Sequence, residues 1–178
     1  MRILLIIMKI GIYGGSFNPI HYGHLGLVKW IINHTDLDQI WLMVSPNNPL
    51  KDKSILTDEN DRLKNVKLAL SIENDERLVA SDFQFNLPKP NYTSDTLRLL
   101  SEQYPEHEFT LIIGEDNLSI FNKWKDYEYL LSNFRIFVYP RPNTKEYDLP
   151  QGKDITIFKG APQFDISSTQ IRNLTKNY

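Results

Sequence analysis

The chain has 178 residues, a length typical of one compact domain, since such domains commonly take about 100–200 residues. Hydrophobic residues make up 41% and charged residues 24%, close to the globular average, so a disordered, fibrous or membrane-embedded class is not favoured. Lysine plus arginine number 20 against 22 acidic residues, a net charge of −2, so the chain has no net basic field to hold a long nucleic-acid backbone.

These properties predict one domain over residues 1–178, with neither a nucleic acid nor a membrane as partner. The absence of cysteine excludes disulfides, thiolate metal ligands and a thiol nucleophile, and it is compatible with the cytoplasm, the location we expect. The apolar run within residues 1–8 is too short for a secretion signal or a bilayer span. Because a first strand begins near Met8, residues 1–7 are either an extension of that strand or an overcalled start.

The apolar pattern in the first half of the chain predicts strands that alternate with helices. Thr57 is the candidate N-cap of the second helix, whose buried face carries Leu63, Val66 and Leu70. In chain order, the predicted elements are a strand at 9–13, a helix at about 23–33, a strand at 40–44 and the helix that follows residue 57.

The second half of the chain continues this alternation after a loop at residues 81–91, which contains two prolines. The predicted elements are a short strand at 78–80, a helix through 96–100, strands at 109–113, 133–139 and 155–158, and a short helix from about 167–168. Strands alternating with helices predict an α/β fold, with a mainly parallel sheet and helices on both faces.

In such a sheet, ligands bind beyond the carboxyl ends of the strands, at the point where the strand order reverses. Four segments that carry glycine, polar or basic residues follow directly after predicted strands. These segments are residues 14–24, 45–51, 114–117 and 139–141. We therefore expect all four to meet along one edge of the sheet.

The most informative stretch is Gly14–His24, with the sequence GGSFNPIHYGH. Gly14 and Gly15 allow a tight turn that brings backbone N–H groups close to a ligand, because glycine has no Cβ. His21 and His24 lie at the start of a predicted helix, where the helix dipole and free N–H groups favour phosphate. The stretch predicts a polyphosphate site in which imidazole N–H groups stabilise the negative charge that develops during phosphoryl transfer.

Other interpretations of this stretch have to be weighed. A glycine-rich turn followed by a helix-capping histidine needs no ligand at all. A metal site is disfavoured, and we expect none, because only His34 and His107 remain as further imidazoles and no carboxylate accompanies the pair at ligand spacing. The chain also lacks GxxxxGK[ST] and GxGxxG runs, so neither a P-loop ATPase nor a dinucleotide-binding dehydrogenase is indicated.

A second motif, Asp165–Arg172 with the sequence DISSTQIR, places hydroxyls and free N–H groups at the start of the last predicted helix. Ser168 and Thr169 can donate to phosphate oxygens, and Arg172 offers a planar fork of donors that stays charged near pH 7. Alone, the motif is more typical of a Ser/Thr-capped surface helix with a solvated arginine. Together with Gly14–His24, it predicts a triphosphate held between two distant segments.

These two motifs resemble the (H/T)xGH and ISSTxIR signatures of the nucleotidylyltransferase superfamily. NYTSDTL at residues 91–97 and IIGEDNL at 112–118 further resemble SYTxDTL and IGxDxL of bacterial nicotinate-nucleotide adenylyltransferases. The resemblance runs from about Met8 to Leu174 with four motifs in order. It implies a Rossmann-like nucleotidylyltransferase fold, and a reaction of ATP with nicotinate mononucleotide that gives nicotinate adenine dinucleotide and pyrophosphate. Mg²⁺ is expected on the ATP phosphates.

The resemblance also implies roles for the matching residues. His21, His24 and Arg172 would be the catalytic residues, which stabilise the phosphoryl group in transfer. Thr93 and Trp124 would hold the nicotinate ring, through backbone amides near the threonine and through stacking on the indole. ATP would be bound by Gly14, Gly15, Ser16, Phe17, Lys51, Asp116, Ser168 and Thr169.

Two of the implied positions depart from the family pattern. Leu50 stands where the family has a histidine before the phosphate-binding lysine, which weakens the contact expected of Lys51. Lys125 follows Trp124 at a position where the family often has an aromatic residue. The substrate contact of that ring is therefore missing, whereas a backbone N–H and the charge of Lys125 can still attract the carboxylate of the substrate.

Two further positions have a structural alternative to substrate binding. Asp116 would contact the ribose or the adenylate side, or would only cap the helix after Gly114. Arg141, in Tyr-Pro-Arg-Pro, matches the arginine of the family's RPG motif and either binds substrate or braces its loop.

Rival functions come from the same superfamily and from other classes. Nicotinamide mononucleotide, phosphopantetheine and alcohol phosphates charged with cytidylate are rival acceptors, and the choice between acid and amide stays open. A non-catalytic nucleotide sensor is a different class, and a nucleic-acid-binding relative of synthetases is disfavoured by the balanced charge. The predicted partners are ATP and nicotinate mononucleotide, and the oligomeric state stays open.

Overall fold

The computed structural model describes residues 6–46, 55–142, 144–152 and 154–176, so the expected phosphate ligand Lys51 lies outside the described residues. The strands are β1 (Lys9–Gly15), β2 (Gln39–Val44), β3 (Leu78–Ser81), β4 (Glu108–Gly114), β5 (Arg135–Tyr139) and β6 (Asp154–Ile157). The helices are α1 (Tyr22–His34), α2 (Glu59–Glu73), α3 (Thr93–Gln103), α4 (Glu115–Leu118), α5 (Tyr127–Asn133) and α6 (Ser168–Thr175). Short 3₁₀ helices span Phe83–Asn86 and Phe121–Lys123.

These six strands form one sheet in the order β3-β2-β1-β4-β5-β6, and every pair is parallel. The order reverses between β1 and β4, which pair with Ile10 opposite Phe109 and Ile12 opposite Leu111. At such a reversal the connections leave in opposite directions, so a crevice opens beyond the carboxyl ends of the two strands. The predicted α/β fold with a parallel sheet is confirmed.

Helices cover both faces of the sheet because successive side chains of a strand point to opposite sides. In β1, for example, Ile12 lies in one apolar layer and Tyr13 in the other. The layer of Tyr13 contains buried residues of α1 and α2, such as Val28 and Val66. The layer of Ile12 contains buried residues of α3 and α5, such as Leu97. The sequence pattern of short, nearly continuous apolar strands follows from this burial on both sides.

The start of α2 differs from the expectation. Asp58, rather than Thr57, is the N-cap, and its carboxylate accepts from the backbone N–H groups of Asn60 at 2.8 Å and Asp61 at 3.3 Å. The Thr57 hydroxyl instead donates to Asn18 Oδ1 at 2.8 Å. The predicted cap was wrong because a contact from a distant loop occupies that hydroxyl.

The remaining boundaries shift by one or two residues. The strand expected from residue 133 begins at Arg135, because residues up to Asn133 belong to α5. The loop expected at 81–91 contains the 3₁₀ helix Phe83–Asn86. Within the described ranges, no helix combines the length and the apolar character needed to cross a membrane.

Candidate active site

A cavity of about 320 Å³ opens at the sheet edge, beyond the carboxyl ends of the strands. This volume lies within the range of small-molecule sites. Four of the residues that line it are Gly15, Ser45, Gly114 and Tyr139. Each comes from a different one of the four segments expected to meet, so that prediction is confirmed for the described residues. We call this space the sheet-edge cavity.

A smaller cleft adjoins the sheet-edge cavity and is lined by His21, His24 and Arg141 among others. We call it the histidine cleft. Tyr13 and Tyr139 line both spaces, and their rings meet edge to face with centroids 6.0 Å apart. Burial raises the pKa of the Tyr13 phenol well above its usual value of 10.0, so Tyr13 stays uncharged at neutral pH. The two spaces are therefore neighbours, with the rings of Tyr13 and Tyr139 between them.

The turn after β1 is built around Phe17. Its backbone is left-handed, with φ of 45°, and its ring is only 2% exposed. A Cβ on Gly15 would approach this ring to 3.0 Å, so glycine gives the ring its place beneath the turn. The Phe17 ring also meets His24 edge to face at 5.1 Å. The Phe17 ring thus packs against both the turn at Gly15 and the ring of His24.

The two histidines form a reciprocal cap at the start of α1. His21 is the N-cap, and its Nδ1 accepts from the backbone N–H of Gly23 at 3.2 Å. His24 Nδ1 accepts from the backbone N–H of His21 at 3.2 Å. Since each Nδ1 is an acceptor, the proton of each neutral ring lies on Nε2. The capping interpretation is therefore correct, and capping also fixes the tautomer that makes each Nε2–H a donor.

His21 is held in its neutral form. Burial, and secondly the charge of Arg141, lower its pKa from 6.5 to about 4. The two imidazole rings stack with centroids 3.7 Å apart, which would be unfavourable for two cations. At neutral pH the pair therefore supplies donors in fixed positions.

The start of α6 lies against the turn after β1. Ser167 is its N-cap and forms a capping box with Gln170, as expected for a helix that begins near Ser167 and Ser168. The Ser168 hydroxyl donates to the carbonyl of Pro19 at 2.8 Å, across 149 residues of sequence. The expected meeting of the first and last motifs is confirmed by this contact.

Arg172 strengthens the same junction. Its Nη1 donates to the carbonyl of Asn18 at 2.6 Å, and its Nη2 donates to Thr169 Oγ1 at 3.0 Å. Part of the guanidinium fork is therefore engaged with the protein. A phosphate contact stays a prediction for Arg172 and Thr169, and the geometry adds that Arg172 also braces the turn after β1.

Arg141 lines the histidine cleft. Its Nη2 donates to the Tyr139 hydroxyl at 3.1 Å, and its Nε lies 3.8 Å from Asp116 Oδ1. Asp116 makes no capping hydrogen bond at the start of α4, where Gly114 occupies the N-cap position. The capping alternative for Asp116 is therefore wrong, and its carboxylate, 58% exposed, instead faces Arg141.

Thr93 and Trp124 lie on the wall of the sheet-edge cavity, as the motif comparison implied. Thr93 is the first residue of α3, whose N-cap Tyr92 makes no side-chain capping bond. The first-turn N–H groups of a helix have no partner within the helix, so they suit an anionic ligand. The Trp124 ring packs against Phe121 at 5.0 Å, and its buried Nε1 has no hydrogen-bond partner.

Lys125 also lines the sheet-edge cavity. Its Nζ lies 2.8 Å from Asp95 Oδ2 and 4.9 Å from the centroid of the Tyr92 ring. The hydrogen bond with Asp95 raises the pKa of Lys125. The lysine that replaces the usual aromatic residue is thus a cation at the cavity wall, partly neutralised by its carboxylate neighbour.

Several wall residues gave little or no signal in the sequence. Gln84 lies in the 3₁₀ helix after β3, and its Nε2 donates to Thr96 Oγ1 at 2.9 Å. Asn91 Nδ2 donates to the carbonyls of Gln84 and Pro88, both at 3.3 Å. The buried amide oxygens of Gln84 and Asn91 accept no hydrogen bond from any described residue. Asn91 was visible as the first residue of a motif, whereas Gln84 lay in an expected loop.

Phe164 of the histidine cleft was also missed. Its ring occupies the space where Gly26 lacks a Cβ, so the segment before α6 packs closely on α1. A glycine in the middle of an amphipathic helix was the available signal, since such a glycine marks a close approach.

The described residues contain no group of three or more His, Asp or Glu side chains that could hold a metal ion. The chemistry of the donors explains this. Imidazole Nε2–H groups, the Arg172 and Arg141 guanidinium groups and helix N–H groups favour anions, not cations. A divalent ion that enters with the phosphates needs few protein ligands, because Mg²⁺ retains water and phosphate oxygens.

Comparison with known proteins agrees with this geometry. The family model described as cytidylyltransferase-like matches residues 12–174, which include the turn after β1 and the start of α6. The fold and the site thus define the class, that of the cytidylyltransferase-like proteins.

Relatives with assigned names define the family more narrowly. A “Probable nicotinate-nucleotide adenylyltransferase” of Cytophaga hutchinsonii is 47% identical over 169 residues, which are 95% of this chain and 86% of that protein. One of Flavobacterium psychrophilum is 49% identical over 172 residues, 96% of this chain and 88% of that protein. The chain belongs to the nicotinate-nucleotide adenylyltransferase family.

Solved structures show the same fold. The Plasmodium falciparum nicotinic acid mononucleotide adenylyltransferase complexed with NaAD has a TM-score of 0.77 at 22% identity, covering 93% of this chain and 83% of that one. The same protein complexed with APC has a TM-score of 0.73 at 22% identity, with the same coverage. The expected Rossmann-like nucleotidylyltransferase fold is confirmed.

Proposed function

We propose that this chain transfers the AMP part of ATP to nicotinate mononucleotide, giving nicotinate adenine dinucleotide and pyrophosphate in NAD biosynthesis. One observation carries the proposal. Hydrogen bonds from Ser168 and Arg172 join the last helix to the turn after β1, beside the histidine cleft, which shares Tyr13 and Tyr139 with the sheet-edge cavity. The proposal therefore assigns the triphosphate to the side of the histidine cleft and the pyridine mononucleotide to the sheet-edge cavity.

The reaction is an in-line attack by a phosphate oxygen of the mononucleotide on the α-phosphorus of ATP. The bond from the α-phosphorus to the bridging oxygen breaks, and pyrophosphate leaves with the electron pair. Because a phosphate monoester loses its second proton near pH 6, the nucleophile needs no protein base at neutral pH. Catalysis then depends on positioning and on stabilisation of charge, the main contributions in phosphoryl chemistry.

His21 and His24 supply that stabilisation in the proposed mechanism. Their capping bonds hold the rings with Nε2–H as the donor, and the neutral state of His21 means that no proton has to be lost first. Donors fixed before the reaction stabilise developing charge without the cost of reorganisation. Arg172 adds a positive charge, and Ser168 and Thr169 add hydroxyls at the start of α6.

The other assigned residues divide between the two substrates. In the proposal, Gly14, Gly15, Ser16 and Phe17 present the backbone of the turn to ATP. Arg141 lines the histidine cleft and faces Asp116 at 3.8 Å, and the two are assigned to the mononucleotide and to ATP respectively. Lys51 is proposed as a further phosphate contact on the strength of its motif alone.

The pyridine ring is assigned to the wall formed by Thr93 and Trp124. The uncapped start of α3 suits a carboxylate, and Lys125 adds a positive charge at the same wall. The Plasmodium falciparum protein with NaAD supports the acid substrate, because that ligand carries a nicotinate group. We therefore propose nicotinate mononucleotide, rather than its amide, as the preferred acceptor.

Mg²⁺ is proposed to enter with ATP and to be held by phosphate oxygens and water, which agrees with the anion-binding character of the described donors. When bound, it neutralises charge on the phosphates. We also propose the cytoplasm as the place of the reaction, since a chain without cysteine has no need of an oxidising compartment.

The proposal is tested by incubating the protein with ATP, Mg²⁺ and one mononucleotide at a time, and by separating the products chromatographically. We expect nicotinate adenine dinucleotide and equimolar pyrophosphate, with slower turnover of the amide. Omission of the acceptor should abolish pyrophosphate release. Tight ATP binding without any dinucleotide product from either acceptor would instead indicate a nucleotide sensor.

A further inference from the structure

Arg62 is an arginine with 1% exposure on the inner face of α2. Its Nη1 donates to the carbonyls of Ser16 at 2.6 Å and Ser45 at 2.9 Å, and its Nε donates to the carbonyl of Thr57 at 3.0 Å. Nη2 lies 3.5 Å from the carbonyl of Pro46. One guanidinium thus joins the loops that follow β1 and β2 to the start of α2.

Within the part of the chain that the structure describes, the charge of Arg62 has no close counter-ion. None of the described carboxylates forms an ion pair with it, and only the more distant Glu59 and Asp58 favour its charged form. Burial lowers its pKa, yet arginine stays protonated at neutral pH because its intrinsic pKa is so high. A cation buried without a paired anion is costly, and Val66 shows that an apolar side chain is compatible with the same helix face.

The contact with Ser16 determines the direction of the next peptide N–H. In a trans peptide the C=O and N–H groups point in opposite directions, so a Ser16 carbonyl turned toward Arg62 turns the Phe17 N–H away from it. Phe17 has a φ of 45°, an uncommon conformation that persists only when the surrounding structure holds it. The hydrogen bond from Arg62 to the Ser16 carbonyl and the packing of the buried Phe17 ring hold Phe17 in this conformation.

The position of these carbonyls connects Arg62 with the proposed ATP site. Ser16 and Phe17 lie between β1 and the capped start of α1, where the two histidines stand. Ser45 lines the sheet-edge cavity at the end of β2. The guanidinium therefore holds the turn after β1, whose Gly15 and His21 line the site, against Ser45 at the end of β2.

We propose that Arg62 is a positioning residue for the triphosphate: it fixes the Ser16–Phe17 peptide unit so that the Phe17 N–H faces the phosphates, and it holds the end of β2 beside that turn through the carbonyls of Ser45 and Pro46. This inference rests on the proposed function, because it takes ATP as the ligand of that turn. A residue that only stabilised the core would affect both substrates through folding. A residue that orients the phosphate loops affects ATP selectively.

The test compares Arg62→Met and Arg62→Lys with the wild type in steady-state kinetics, varying ATP and nicotinate mononucleotide separately. We expect Arg62→Met to raise the KM for ATP at least tenfold and to lower kcat, with the KM for the mononucleotide changed less than twofold. The KM for ATP and the kcat of Arg62→Lys should lie between those of the wild type and Arg62→Met, because an ammonium group keeps the charge but cannot bind all the carbonyls.

Two control variants separate positioning from stability. Val66→Ala removes a fully buried side chain from the same face of α2 and should lower the denaturation midpoint without selective loss of ATP affinity. Arg77→Met removes an exposed arginine that binds Asp75 and should change neither property. Denaturant unfolding of each variant identifies the folded fraction, to which all rates are normalised.

Equal KM values for ATP in the wild type and in folded Arg62→Met, or equal increases in the KM of both substrates, would overturn the proposal. If Arg62→Met does not fold, Arg62→Lys decides, and an ATP KM within twofold of the wild type overturns it. Calorimetric binding of a non-hydrolysable ATP analogue gives an independent readout. A wild type that binds the analogue but forms no dinucleotide would refute the proposed function, whereas weaker analogue binding by the variants would still support the role of Arg62.

Discussion

Arg172 Nη1 donates to the carbonyl oxygen of Asn18 at 2.6 Å, although 154 residues separate the two in sequence. The side chain of Asn18 in turn donates to the carbonyl of Ile55 at 2.8 Å and accepts from Thr57. The last helix, the turn after β1 and the approach to α2 therefore meet at one asparagine. These hydrogen bonds therefore link the positions of the three segments.

Replacement of His24 by alanine is expected to lower kcat by about 10²-fold or more, the usual effect of losing a preorganised donor to a developing oxyanion. The variant also loses the acceptor for the His21 N–H, so folding must be checked by circular dichroism. His34→Ala, at the other end of α1, is the matched control and should keep normal turnover. Near-normal turnover of a folded His24→Ala protein contradicts the assigned role.

Replacement of Arg172 by alanine should mainly weaken the use of ATP. Loss of hydrogen bonds to a charged group costs about 1.5–3 kcal/mol, equivalent to roughly a tenfold or larger rise in the KM for ATP. Lys176→Ala, which removes a cation at the end of the same helix, is the control. Unchanged ATP kinetics in Arg172→Ala would contradict the predicted phosphate contact. The role of Arg172 would then be limited to its hydrogen bond with the Asn18 carbonyl.

His21 should titrate with a pKa of about 4 in the free protein. Bound ATP should raise that value, because nearby phosphate anions favour the imidazolium. NMR titration of the imidazole carbon resonances, with and without a non-hydrolysable ATP analogue, measures both values. A titration near 6.5 in the free folded protein would show that His21 is not held neutral.

The same lowered pKa has a consequence for stability. Between pH 6.5 and about 4, the unfolded chain binds a proton at His21 that the folded protein excludes. The contribution of His21 to stability is therefore complete above pH 6.5 and is lost as the pH falls toward 4. Urea unfolding of the wild type and His21→Gln across this range should show a smaller pH dependence in the variant.

Lys125 should contribute to discrimination between the acid and the amide mononucleotide. We expect Lys125→Met to lower the ratio of their kcat/KM values about two- to fivefold, the modest effect typical of an exposed charge. Asp95→Asn should raise the ratio, since it removes the carboxylate 2.8 Å from Lys125. An unchanged ratio in both variants would leave the selection of the acid to the backbone near Thr93.

Much of the fold was accessible from the sequence, because it depends on local rules. Short apolar runs ended by glycine or proline marked β1, β2, β4 and β5, and helical spacing marked the buried face of α2. The parallel pairing of the strands followed from their alternation with helices, whereas their order in the sheet came from the structure. The exact start of α2 was not accessible, since Asn18 bonds Thr57 from a distant loop.

The candidate site was accessible where its residues lie in motifs. His21, His24, Ser168 and Arg172 could be named because residue type and spacing describe a phosphate site even before folding. Arg62 escaped this reasoning, although a charged residue four positions before Val66 on an apolar helix face was a visible anomaly. Its partners are backbone carbonyls, which carry no sequence signal.

By itself, the sequence determined the alternation of strands and helices, the two phosphate motifs and the family to which they point, because each depends on neighbours along the chain. The tertiary structure alone decided that Arg172 engages Asn18, that Asp116 faces Arg141, and that Arg62 lies buried behind the loops. These contacts depend on the three-dimensional packing of segments far apart in sequence, where one group can satisfy a backbone carbonyl that no local partner reaches.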